Sequence, residues 1–159
     1  MAVLFYYEGS DTMFEITERK GITHIRLSRG NSCTITTNPL YIDTNENKVY
    51  DTDDIPIILE NNDRVLFCVC SGSGRKYLTK ILTPNDYNDQ DVLTLKLDAK
   101  DTLLEPHCYD FSFTYFPSNK SEAYTYAEGK FEILPVCGDI TDLTKSDVPE
   151  IDGDDNAND

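Results

Sequence analysis

The sequence contains no tryptophan, two histidines and two methionines, and none of its apolar runs is long. The two histidines, His24 and His107, stand in no metal-ligand spacing. Cys68-x-Cys70 lacks the two-residue gap of a zinc knuckle. No stretch approaches the roughly 18 apolar residues that a membrane-spanning helix requires. The opening Ala2-Val3-Leu4-Phe5-Tyr6-Tyr7 has no basic stretch before it and is too short for a secretory signal, so the chain is expected to be made and kept in a cytoplasm, at least until assembly or lysis. Basic side chains are scarce, with 14 Lys and Arg against 29 Asp and Glu and a net charge of −15. Nucleic acid and anionic membranes both demand a basic footprint, so neither is an expected partner. An odd count of five cysteines without a secretory signal reads as reduced thiols, buried as small hydrophobes. A Cys70–Cys108 or Cys68–Cys108 bridge is the alternative, since Cys108 opens the strand expected beside Cys68 and Cys70.

What is present is β-forming: 10 Tyr and 7 Phe, with many Thr, Val and Ile. No window sustains a helical period. Short extended segments alternate with turn signals instead. Ile22–Leu27 and Cys33–Thr36, separated by Arg29-Gly30-Asn31, read as an edge strand broken by a turn. Asn45-Glu46-Asn47 reads as a turn. The continuous run Val65–Cys70 predicts a strand covered on both faces. Ser71-Gly72-Ser73-Gly74 predicts a hairpin into Tyr77–Leu82. Leu93, Leu95 and Leu97 share one face of a strand, as do Tyr109, Phe111, Phe113 and Tyr115 of another. Asp101-Thr102-Leu103-Leu104 reads as a single helical turn ended by Pro106, and the last strand runs from Tyr124 to Leu134. Period two places Val65, Phe67, Val69, Leu93, Leu95, Leu97, Phe111, Phe113, Phe131 and Ile133 in the core of two packed sheets. The expected division is an N-terminal arm over 1–20, a sandwich over 21–138 and an acidic flexible tail over 139–159. That tail holds eight acids and Lys145.

Arg29-Gly30-Asn31, Asn61-Asn62-Asp63-Arg64-Val65, the alternating Val92–Leu97 and Leu103-Leu104-Glu105-Pro106 occur in this order. Tyr109-Asp110-Phe111-Ser112-Phe113 and Gly129-Lys130-Phe131-Glu132-Ile133-Leu134-Pro135 follow. This succession resembles the small immunoglobulin-like (Ig-like) domain of tailed-bacteriophage virion proteins, including the N-terminal domain of baseplate upper proteins. Pro106-His107-Cys108-Tyr109 departs from the family's Pro-Gly-x-Tyr turn. The resemblance implies an all-β, antiparallel Ig-like sandwich and a structural protein of the virion: a capsid decoration, a connector, or a baseplate or tail-associated domain. Its partners would be other virion structural proteins, in a symmetric homo-oligomer.

Nothing in the residues points to catalysis, and no cofactor or metal is expected. Ser71-Gly72-Ser73-Gly74-Arg75-Lys76 lacks phosphate-loop spacing, and no helix follows it. Asp51, Asp53 and Asp54 lack the order of a calcium loop. Asn119-Lys120-Ser121 matches a glycosylation sequon but has no secretory route. The arm residues Val3, Leu4, Phe5, Tyr6 and Tyr7 are the candidate partner-binding site, because an exposed β-prone apolar run has to be covered by something. Two other functions remain open at this point. One is an acidic DNA mimic that inhibits a host nucleic-acid-binding protein. The other is a carbohydrate-binding module with an aromatic platform of Tyr115, Tyr124 and Tyr126.

Overall fold

Alternating apolar and polar residues build a chain of strands, and the computed structural model describes residues 5–6, 14–19, 22–37, 40–47, 51–118 and 121–142. Its strands are β1 (Phe5–Tyr6), β2 (Phe14–Arg19), β3 (Ile22–Ser28), β4 (Cys33–Thr37), β5 (Tyr41–Ile42) and β6 (Ile55–Pro56). They continue with β7 (Arg64–Cys70), β8 (Lys76–Leu82), β9 (Leu93–Leu97), β10 (His107–Phe116) and β11 (Tyr124–Leu134). Among the described residues there is no α-helix, only two 3-10 turns at Pro84–Asp86 and Ile140–Asp142.

Six strands form one sheet in the order β2-β3-β11-β10-β7-β8, and β1-β4-β9 form a second. β5 and β6 make a separate two-stranded ribbon. The two larger sheets share one core, with Ile25, Phe67, Phe111, Phe113 and Phe131 from the first and Ile35, Leu93, Leu95 and Leu97 from the second. All ten residues placed in the core by period two are at most 2% exposed. Phe67 lies at the centre, with ring centroids 4.8 Å from Phe113, 6.0 Å from Phe131 and 6.2 Å from Phe111.

The chain is all-β as expected, but its large sheet is mixed. β11 runs parallel to β3, with Phe131 beside Ile25 and Ile133 beside Leu27. A parallel pair needs a long connection, and here almost the whole body intervenes between the two strands. No local turn signal announces such a pairing. Neither half of Ile22–Thr36 is an edge: β3 lies between β2 and β11, and β4 lies between β1 and β9. The turn at Gly30 (φ +77°) carries the chain from one sheet to the other. Its Gly30 N–H donates to the Thr102 carbonyl at 3.1 Å, and the Arg29 N–H donates to the Leu134 carbonyl at 3.0 Å.

The segment 1–20 is more than an arm. β2 pairs antiparallel with β3, placing Ile16 beside Ile25, and Ile16 packs against the core. Its alternation was hidden by Glu15, Thr17, Glu18 and Arg19. Likewise the segment 139–159 starts inside the fold, where Asp139 forms an ion pair with Arg29. Residues 143–159 lie outside those described.

The run Val65–Cys70 is fully buried on the core side at Val65, Phe67 and Val69, while Leu66 and Cys70 are only half-buried on the other face. Residues 98–104 form successive turns rather than a helix, closed by an Asp101 N–H to Asp98 carbonyl bond of 2.9 Å. All five cysteines are free thiols. The register sets Asp110, not Cys108, opposite Cys70.

Candidate interaction surfaces

The core is filled, so the described residues can meet a partner at the rims and faces of the sheets. At one end the connections 40–63 and 83–92 meet. Pro56 breaks β6, and Ile57 turns inward, its N–H donating to the Leu40 carbonyl at 2.8 Å. This leaves Ile58 73%, Ile55 54% and Ile42 43% exposed. Beside them lies a groove of about 470 Å³, lined by Leu40, Pro56, Ile57, Ile58, Tyr87 and Leu93 among others. A second, more polar groove of about 590 Å³ runs between β8 and the outer face of β4–β9, where Thr34, Lys80, Asn88 and Lys96 meet.

The acids around Asp51 hold their own loop together. The Asp54 carboxylate accepts from the Thr44 N–H at 3.1 Å and the Asp51 N–H at 2.9 Å. Asp51 accepts from the Asn45 and Asn47 side-chain amides at 3.0 and 2.7 Å, and from the Asp53 N–H at 2.9 Å. These bonds, that of Asn45 foremost, hold the Asp51 carboxyl below its ordinary range. Among the described residues no group of three or more His, Cys, Asp or Glu side chains is arranged to hold a metal ion. Alternation separates the one combination worth testing: His107 lies on the core-side face, its ring 5.1 Å from that of Tyr109, while Cys68, Cys70 and Cys108 occupy the outer face.

Ser71–Gly74 is the expected hairpin, with the Gly74 N–H bonded to the Ser71 carbonyl at 2.8 Å. Arg75 lies over the Tyr77 ring at 5.3 Å, and Tyr77 in turn packs on Tyr109 at 4.9 Å. The three tyrosines grouped as a platform are not equivalent. Tyr126 is 4% exposed, and the Tyr115 hydroxyl is engaged by Asp63 at 3.1 Å, which leaves only Tyr124 open. Of the arm residues, Phe5 and Tyr6 form β1 and pair with Thr37 and Thr36 of β4, within the same chain. Val3, Leu4 and Tyr7 lie outside the described residues, as does Asn119-Lys120 of the sequon.

One structural feature leaves only a faint signal in the sequence. The Tyr109 hydroxyl donates to the Glu105 carbonyl four residues upstream at 2.7 Å, pinning the corner where the chain leaves the smaller sheet for the larger. Its visible signal is a Tyr opening an aromatic strand just after Pro106. No family model, no curated protein and no solved structure matches this chain.

Proposed function

We propose that this protein is a bacteriophage virion structural component, a capsid decoration, connector or baseplate- or tail-associated subunit, whose Ig-like sandwich acts by binding other virion proteins. The observation that carries the Ig-like reading is the Tyr109–Glu105 hydrogen bond, set at the start of β10 in a sheet ordered β11-β10-β7-β8. In an Ig domain the G, F and C strands share a sheet opposite B and E, and a tyrosine at the start of F bonds back to the preceding corner. β4 and β9, paired in the opposite sheet, take the places of B and E. Phe67, Phe111 and Ile35 then occupy the region where antibody domains place a tryptophan and a disulfide, consistent with a chain that has neither Trp nor a bridged cysteine pair.

Binding rather than chemistry is supported by where the polar groups go. Asp51, Asp54, Asp63 and Asp139 are consumed as acceptors within the fold. The DNA-mimic reading draws little from them, and the sugar platform loses Tyr126 to the core. The virion part of the reading rests on the motif order from Arg29 to Pro135.

Immunodetection of the chain in gradient-purified particles, against the lysate from which they came, tests the proposal. Co-sedimentation with particles at a fixed copy number per particle is expected. Recovery only in the soluble lysate would overturn it.

A further inference from the structure

The groove of about 470 Å³ is apolar in an otherwise acidic chain. Among the described residues, Asp91 is its one charged lining side chain. Ile57 in its wall is only partly buried, and Ile58 is 73% exposed. The strand registers show which part of the chain leads to it. Phe5 of β1 stands opposite Thr37 of β4, and Thr37 stands opposite Leu93 of β9. Tyr87 bridges to Leu93 on the far side. This row forms one lip of the groove, since Leu93 and Tyr87 both line it. Antiparallel pairing sends the chain before Phe5 in the same direction as the chain after Thr37. That direction leads to Leu40, and the chain before Leu93 leads the same way to Asp91; both residues line the groove.

We propose that the groove is filled by the chain's own segment Ala2–Leu4, which runs on from β1 and lays Val3 and Leu4 against Ile57 and Ile58. Three observations select this occupant. The first is reach. Three residues extend by up to ~10 Å, whereas Leu40, on the line of β4, is one strand spacing of ~4.8 Å from the line of β1. If the register continued, Ala2 would come level with Leu40. The second is the backbone. Pro39 has no N–H with which to lengthen the β1–β4 ladder, so side chains have to hold whatever precedes Phe5.

The third is composition. Of the stretches outside the described residues, 1–4 is the one made wholly of apolar residues. The segment 143–159, with six acids, would meet Asp91 with like charge. Removing Val3 and Leu4 from water against Ile57 and Ile58 supplies the driving force. The segment is then a strap that latches the end of the smaller sheet over the core of its own domain. The apolar run before β1 is thereby covered within one chain. The strap does not depend on the virion role, so either can fail alone.

Urea unfolding of the full chain provides the test. Val3→Ser should lower the folding equilibrium constant about tenfold, the scale of one buried aliphatic side chain. Ile58→Ser should lower it by about as much, although a substitution at a merely exposed position changes it about twofold at most. Both variants cut the same contact, so the double variant should lose little more than either alone. Ile81→Ser, at a 63% exposed position on the outer face of the larger sheet, should be near neutral and combine independently with Val3→Ser. Midpoints should not move with protein concentration, because strap and groove belong to one chain. If Val3→Ser fails to fold, Val3→Ala gives the same cycle with a smaller loss. Stability that is untouched at Val3, or losses at Val3 and Ile58 that simply multiply, would overturn the proposal. So would a midpoint that rises with protein concentration, since a second copy would then be supplying the segment.

Discussion

A carboxylate buried in a turn has to be satisfied from several directions, and Asp63, 5% exposed, is held by three elements. Its oxygens accept from the Glu60 N–H at 2.9 Å, the Ser118 N–H at 2.9 Å and the Tyr115 hydroxyl at 3.1 Å. The side chain thereby ties the entry of β7 to the exit of β10. Burial pushes its pKa up, yet the bonds from Glu60, Ser118 and Tyr115 prevail and hold it below the ordinary Asp range. A depressed carboxylate contributes stability that is fully present above its unfolded pKa of about 3.9 and is lost as pH falls through the folded value. Tyr115 answers at the other limb. Burial first, then its bond to Asp63, pushes its pKa up to about 12. The contribution of Tyr115 is therefore complete below the unfolded value of about 10 and is lost as pH rises towards 12. Asp63→Asn should cost about 2–3 kcal/mol at pH 7, the scale of hydrogen bonds to a buried charge. Urea titrations from pH 3 to pH 8 would measure the gap between parent and variant, which should narrow at the acid end. A gap that is constant across that range would mean that the carboxylate charge contributes nothing.

Among the strands, β11 is held on both sides, between β10 and β3. Gly129 sits at the tightest point: a Cβ added there would stand 2.1 Å from the Thr23 carbonyl oxygen and 2.9 Å from the Phe111 ring. Neither neighbour is the free end of a flexible side chain, so β3 and β11 would have to part. Gly129→Ala should therefore cost about 3 kcal/mol or more, through overpacking and loss of the parallel ladder. Gly72→Ala, where the nearest atom is an Asp110 oxygen at 4.0 Å, should stay within about 0.5 kcal/mol. Chemical-denaturation midpoints of both variants check the contrast, and equal midpoints would show that the sheet yields at Gly129. The same strand marks how far the sequence could be read. Phe131 and Ile133 revealed their buried face through period two, and so did the other eight core residues, because that period is a local property. The partner of β11 is β3, about a hundred residues away, and pairing at such range leaves no mark in either segment. β2 was hidden for a different reason: it lies at the sheet margin, and four of its six residues, Glu15, Thr17, Glu18 and Arg19, are polar or charged. The arm residues Val3, Leu4, Phe5, Tyr6 and Tyr7 could be named from apolar content alone. The Tyr109 corner could not, since it exists only once β9 and β10 lie in different sheets.

The whole molecule carries its charge unevenly, and the boundary between body and tail can be located by what Asp139 does. Its carboxylate, 5% exposed, forms an ion pair with Arg29, which also donates from Nε to the Leu104 carbonyl at 3.1 Å. Asp139 further accepts from the Thr141 N–H at 2.7 Å, and its own N–H donates to Asp142 at 2.9 Å. Gly30 makes room for it, since a Cβ there would lie 3.0 Å from that of Asp139. Residues 139–142 thus close the end of the sandwich over the turn that joins its sheets. Beyond them, 143–159 hold six acids and Lys145, so removing that segment takes the net charge from −15 to −10. Two truncations should therefore behave oppositely. Ending the chain at Asp142 should leave the melting temperature unchanged or slightly higher, because like-charge repulsion falls, and the difference should vanish at about 0.5 M salt. Ending it at Gly138 strips Arg29 of its buried partner and should cost about 2 kcal/mol, a loss that screening restores little, because a part-buried pair is shielded less than a surface one. Calorimetric melts of both forms at low and high salt give the comparison. A clear drop for the longer form would mean that 143–159 packs on the body. Unchanged melting of the shorter one would mean that Asp139 merely rests on the turn at Gly30.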